Sequence, residues 1–237
     1  MQHFIARSQS SKKVLNTLRI SANLPVNILI VGEKGSGKRT LAKEVFEDLE
    51  FFTPDQIEQM QNYPTTIGIE DLGQLRNPAS FFDNLHGHRI VALAEELKPE
   101  LEEYFPVILY LPPLSQRPED FEALKNYYIH QAKKDLGLEE FECEVGPELN
   151  AIQLRRHIYK KAVLTTLGQE EVMEFLEEFF SKKLPKEYKE FTKYLDVPLL
   201  KAAKKRYGSV LAMAKALRLN RATLTTKLER YGLKDKG

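Results

Sequence analysis

Hydrophobic and polar positions along this chain follow two different periods, and the change between them divides it. In the first half, short apolar and β-branched runs lie at 28–31 (ILIV), 65–75 (TTIGIEDLGQL), 89–94 (RIVALA) and 107–111 (VILYL), with helical spacing between them. Buried runs alternating with helices predict a parallel sheet covered on both faces. A shorter strand is expected at 50–52. Helices are expected over 4–23, with Val14, Leu15 and Leu18 on one face, and from about 37 to 49. A third helix is expected over 53–62, where Thr53-Pro54-Asp55-Gln56 reads as N-cap, first-turn proline and capping-box glutamine. After Pro118 the strands stop. Residues 119–136, 147–167 and 170–182 read as helices of a lid and a connecting helix, and 183–196 as a linker. Three short helices follow at 199–206, 210–217 and 221–231. The last two are joined by Arg218-Leu219-Asn220, with Ala212, Ala214 and Ala216 suited to close packing and Leu224 and Leu228 facing inward. That is the spacing of a helix-turn-helix.

The chemistry concentrates just after the first strand. Residues 32–40 read Gly32, Glu33, Lys34, Gly35, Ser36, Gly37, Lys38, Arg39 and Thr40, with the spacing G-x-x-x-x-G-K. Between a buried strand and a helix start, such a loop makes a phosphate cradle. Its glycines let backbone N–H groups turn inward, and Lys38 reaches the β- and γ-phosphates. The alternative is a glycine-rich turn with no ligand. One position departs from the pattern: the Ser or Thr hydroxyl that meets Mg²⁺ is replaced by Arg39, and Thr40 falls one residue late. The strand at 65–75 carries two carboxylates, Glu70 and Asp71, where a metal and an attacking water are handled near a P-loop.

Composition narrows the field. The single cysteine, Cys143, excludes a disulfide framework and a Cys-based zinc site. His86 and His88 read as part of a polar loop. With no signal-peptide pattern and no membrane-length apolar run, a cytoplasmic protein with no membrane partner is expected. The net charge of +1 conceals an asymmetry. Residues 197–237 hold eleven bases and two acids, against 24 bases and 32 acids elsewhere. An acidic body with a basic end is a common footprint of nucleic-acid binding, though a solvated basic face has the same composition.

In order along the chain, these pieces resemble the bacterial enhancer-binding proteins, the NtrC-like AAA+ activators of sigma-54 RNA polymerase. GEKGSGKRTLA (32–42) is similar to the family's Walker A, GESGTGKELVA, and TTIGIEDLGQL (65–75) to its Walker B region, GTLFLDEIGEL. FIARSQSSKKVL (4–15) is similar to the segment before the family's first strand. RIVALAEEL (89–97) resembles RIIAATNRDL, and LPPLSQRPED (111–120) resembles LPPLRERRED. Residues 198–233 look like the Fis-type helix-turn-helix that ends these proteins. The resemblance implies an α/β P-loop AAA+ domain with a helical lid, followed by an all-α Fis-type domain. The expected boundaries are 1–117, 118–182, 183–196 for the linker and 197–237. It also implies ATP or ADP as ligand, with Mg²⁺ where the site allows it.

The departures shape the functional expectation. About 27 residues carry the chain from Lys38 to Thr65, where the family spends more than twice that and includes its sigma-54-contacting GAFTGA loop. The Walker B acids are reversed, the sensor Asn falls on Glu95, and 98–105 holds no arginine finger. The lid's nucleotide-sensing Arg falls on Ile152. The expectation is a DNA-binding transcriptional regulator whose degenerate AAA+ body binds nucleotide and hydrolyses it poorly. Arg221, Thr223, Thr225, Thr226 and Lys227 would face bases and phosphates of double-stranded DNA, and Lys204, Lys205, Arg206 and Arg230 its backbone. A homodimer through the C-terminal domain is expected from the resemblance. Two alternatives stay open: an active ATPase using Glu70 and Asp71 in an unusual geometry, and an adaptor joining a full-length enhancer-binding protein.

Overall fold

A computed structural model describes residues 3–75, 77–184 and 186–234. Residues 1, 2, 76, 185 and 235–237, which fall within the expected domains and linker, lie outside that set. The described chain divides into two compact units, Met1–Thr166 and Leu167–Gly237.

The first unit is built on five parallel strands: β1 (Ile28–Val31), β2 (Phe51–Phe52), β3 (Thr66–Ile69), β4 (Arg89–Ala94) and β5 (Val107–Tyr110). Their order is β2-β3-β4-β1-β5. The register pairs Val31 with Ala94 on one side and with Tyr110 on the other. Successive strand residues point to opposite faces, so two separate cores form. Leu29, Val31, Ile67, Ile69, Ile90 and Ala92 enter one core, where they meet α3 (Pro54–Glu58) and α4 (Pro78–Asn84) through Ile57, Phe81 and Phe82. Ile28, Ile30, Val91, Leu93 and Leu109 enter the other, against α1 (Gln9–Ser21) and α2 (Lys38–Lys43). The doubly covered parallel sheet expected from the apolar runs is therefore present.

Several boundaries differ from expectation, each for a local reason. α1 begins at Gln9 because Ser8 is its N-cap, accepting from the Ser11 N–H, and residues before it are not helical. α2 stops at Lys43, short of residue 49, where Glu44, Glu47 and Asp48 place negative charge against the negative end of the helix. α3 does carry the Thr53/Gln56 capping box, but ends at Glu58. α4 was not expected, although Asn77 accepts from the Ser80 N–H and Pro78 opens its first turn.

Two longer helices, α5 (Pro118–Leu136) and α6 (Ala151–Thr166), complete this unit. They share a third core of Leu114, Phe121, Leu124, Tyr128, Leu154 and Ile158. The second unit contains α7 (Gln169–Ser181), α8 (Tyr188–Tyr207), α9 (Val210–Leu217) and α10 (Arg221–Arg230). The segment expected as a linker, 183–196, is thus helical from Tyr188 onward. α8 runs through Pro198, so the short helix expected at 199–206 is the second half of a longer one. Its early turns are held by aromatic packing on α7, with Phe179 and Tyr194 rings 4.9 Å apart and Phe180 and Phe191 5.1 Å apart. Leu200, Ala203, Met213, Ala214, Leu224 and Leu228 close a core among α8, α9 and α10. Among the described residues no helix is long and apolar enough to cross a membrane.

Candidate functional site

In a parallel sheet every strand delivers its next residue to the same edge, and ligands bind there. Here β1 leads into the glycine loop, β3 into Glu70 and Asp71, and β4 into Glu95 and Glu96. All of them line one cleft of about 890 Å³. Lys34, Lys38, Arg39 and Thr40 line it from the loop and α2, and Ile152 and Arg155 from α6. The sequence-separated Walker A and Walker B candidates are therefore brought together.

The loop has the backbone that a phosphate cradle requires. Gly35 and Gly37 have φ of +79° and +103°, a region that side chains rarely adopt. A Cβ on Gly35 would also lie 2.7 Å from the Asn150 side chain. Lys38 Nζ donates to the carbonyls of Gly32 (2.6 Å) and Glu33 (3.0 Å), curling over the loop. Burial pulls the Lys38 ammonium below its ordinary value, while Glu95, Glu33 and Asp71 hold it up. A desolvated ammonium gains most from a polyanion placed beside it.

Two contacts fix the loop from outside. The Ala151 N–H donates to Gly35 O (3.1 Å), and Asn150 Nδ2 donates to Lys34 O (3.3 Å). Asn150 also caps α6 reciprocally with Gln153. On the other side Arg117, only 1% exposed, donates to Ser36 O (2.6 Å) and to Asp120 Oδ2 (3.3 Å). Asp120 in turn accepts from the Arg7 and Ser8 N–H groups and from the Ser8 and Ser11 hydroxyls. Sequence reasoning missed Arg117, Asp120 and Arg155. The adjacent charged residues of QRPED were visible, but not their burial.

Two of the usual Mg²⁺ anchors are altered at this site. An octahedral Mg²⁺ in a nucleotide site needs a protein oxygen or a free carboxylate beside the phosphates. The position after Lys38 carries Arg39, whose guanidinium is ion-paired with Glu70 and lies over the Phe51 ring, 5.3 Å from its centre. Thr40 is turned about 100° around the helix from that position. Asp71 faces the cleft from a left-handed conformation, φ +55°. Among the described residues no group of three His, Cys, Asp or Glu is placed to hold a metal ion. His88 instead lies 3.0 Å from the Pro64 carbonyl, and burial pushes the Cys143 thiol up, away from reactivity.

A parallel sheet ordered in this way, a glycine loop after β1 and a two-helix lid docked on that loop define the architecture. The family model for the sigma-54 interaction domain matches residues 4–60. That match spans β1, the glycine loop and α2, and ends ten residues before Glu70. Among solved structures, NtrX from Brucella abortus in complex with ADP is similar with a TM-score of 0.56 at 15% identity. The likeness covers 96% of this chain and 69% of that one. The same protein in complex with ATP gives 0.56 at 14% identity, covering 98% and 70%. The fold is AAA+-like. No curated protein sequence matches the chain. The AAA+-like unit places the cleft between sheet edge and lid, with its apolar end at Ile5, Leu114, Leu124 and Tyr128.

The expected DNA-facing residues sit in the second unit, on a frame with clear local logic. Asn220 caps α10 by accepting from the Ala222 N–H, and Arg218 ends α9 in a left-handed conformation. Arg221, Thr223, Thr226 and Arg230 are exposed on α10, and Lys205 and Arg206 on α8. Thr225 and Thr226 hydroxyls donate to the Arg221 and Ala222 carbonyls. Lys227 is turned inward, 2.6 Å from Asp196 Oδ2, which also accepts from the Tyr231 hydroxyl. Lys204 donates to Leu233 O. Lys227 and Lys204 thus serve the packing of the unit.

Proposed function

We propose that this protein is a DNA-binding transcriptional regulator whose AAA+-like unit binds ATP or ADP and turns it over slowly. The observation that carries the nucleotide half is the convergence of the positive-φ glycine loop and desolvated Lys38 on a cleft with an apolar end for a base. NtrX, which has this fold, is described in complex with both nucleotides. Slow turnover follows from what stands at the other positions. Glu70 is paired with Arg39, Glu95 follows β4 where the resemblance expects an Asn, and 98–105 offers no arginine. An arginine finger alone is worth about 10³–10⁵ in rate, and the catalytic groups act together.

The DNA half rests on α9 and α10, joined by a three-residue turn, and on the exposed bases Arg221, Arg230, Lys205 and Arg206. α10 would enter the major groove, with a homodimer of this unit spanning two half-sites. With a short connection between Lys38 and Thr65, the protein would not activate sigma-54 polymerase unaided. An adaptor role beside a full-length enhancer-binding protein is favoured by the apolar side chains that α7 exposes, Met173 and Phe175 at 59% and 62%.

Fluorescent ATP titration followed by phosphate release on the same preparation tests the nucleotide half. We expect binding, turnover far below one per second, and at least a tenfold loss of affinity in Lys38→Ala. Turnover of several per second, abolished by Lys38→Ala, would instead establish an active ATPase. A duplex-DNA shift tests the other half. Co-purification with an enhancer-binding protein and no DNA shift would favour the adaptor.

A further inference from the structure

The geometry points to a nucleotide site that works without a divalent metal, with Arg39 supplying the counter-charge. The inference rests on the nucleotide-binding reading above and narrows it. In metal-dependent P-loop sites the residue after the lysine offers a hydroxyl to the ion, and a strand-end carboxylate holds the ion's water shell. This chain places a guanidinium at the first position and ties the carboxylate to it: Arg39 is ion-paired with Glu70. One contact therefore takes the hydroxyl position and the first strand-end carboxylate away from the ion, and leaves Asp71, held in a left-handed conformation, as the remaining carboxylate of that strand.

The replacement is positioned as well as charged. The Arg39 guanidinium lies over the Phe51 ring, its side chain is half exposed, and its Nη2 meets Glu70, so its other N–H groups remain for a bound anion. A planar guanidinium meets two phosphate oxygens at once, which suits it to the place where an ion would bridge β- and γ-oxygens. Lys34, Lys38 and Arg155 line the same cleft. With Arg39 they put four cationic side chains at the glycine-loop side of the cleft, while the carboxylates of Glu70, Asp71, Glu95 and Glu96 stand at the strand ends. A cation held at the site by the phosphates would meet the Arg39 guanidinium beside it, a like-charge contact that disfavours the metal complex.

The test is a titration of the full chain with N-methylanthraniloyl ATP in excess EDTA and in excess Mg²⁺. The wild type is expected to bind in EDTA as tightly as in Mg²⁺, within about threefold, or more tightly. Arg39→Thr, which restores the hydroxyl and frees Glu70, is expected to lose about tenfold in EDTA and to recover with Mg²⁺. Glu70→Gln, which releases Arg39 without removing it, is expected to keep metal-independent binding. Arg39 and Glu70 are both at the surface, so melting curves of the variants should match the wild type. A wild type that weakens tenfold or more in EDTA overturns the inference and leaves the nucleotide reading standing. So does an Arg39→Thr variant indistinguishable from wild type in EDTA. Absence of binding in both conditions overturns the nucleotide reading itself, and this inference with it.

Discussion

At the scale of single residues, Asp120 carries more of the structure than any catalytic candidate. Its buried carboxylate gathers two backbone N–H groups, two hydroxyls and Arg117, and Arg117 passes the constraint on to Ser36 in the glycine loop. Burial pulls the Arg117 guanidinium below its ordinary value, and Asp120 holds it up. Removing one charge leaves the other buried without compensation. Asp120→Asn is expected to lower stability by about 3–5 kcal/mol in urea unfolding. Glu122→Gln, two residues along α5 and exposed in its pair with Lys125, should stay within about 0.5 kcal/mol of wild type. Residues such as Lys38, Gly35 and Gly37 were legible in the sequence because their roles depend on spacing within nine positions. Arg117 was not, because its partners Ser11 and Ser36 lie 106 and 81 positions away. Arg155 was hidden in the same way: alignment marked Ile152, and only the helix shows that Arg155 faces the same cleft.

At the scale of elements, α8 holds the second unit together at two levels. Its early turns pack on α7, and Asp196 at its centre takes Lys227 and Tyr231 from α10. The Lys227 hydrogen bond, opposed by burial and helped by Tyr231, holds the Asp196 carboxyl below the usual carboxylate range. A carboxyl depressed in the folded state stabilises fully above its unfolded value, about 3.9, and loses that contribution as pH falls through the folded value. The second unit should therefore lose helix stability on acidification below about pH 4. Asp196→Asn should flatten that dependence and cost about 1 kcal/mol at neutral pH, read by circular dichroism melts. β1, β4 and β5 were legible almost to the residue, whereas the run expected as a strand over 65–75 is extended only at Thr66–Ile69, before Glu70 and Asp71 turn the chain. The first half of α8 was hidden because the mixed charge and aromatics of 183–196, with Pro198 just after them, have the composition of a linker. Tyr188, Phe191 and Tyr194 recur at helical spacing, and their packing on α7 overrides that signal. The capping of α4 by Asn77-Pro78 was present in the sequence and passed unread.

At the scale of the whole molecule, the two compact units carry separate chemistry, an acidic body with the cleft and a basic end. Affinity for duplex DNA should then fall with salt through phosphate contacts. Arg221→Ala with Arg230→Ala should flatten the log–log salt slope by about two and leave nucleotide affinity unchanged. A matching loss of nucleotide affinity would show that the units do not act independently. Within the first unit the decisive arrangement is the seating of α6 on the glycine loop, through Ala151 N–H to Gly35 O and Asn150 to Lys34 O. Any reshaping of that loop segment would break those two bonds. For the proposed nucleotide ligand, the expected consequence is a residence time that follows the fraying of one helical turn, a rare and local event, more than the width of the cleft mouth.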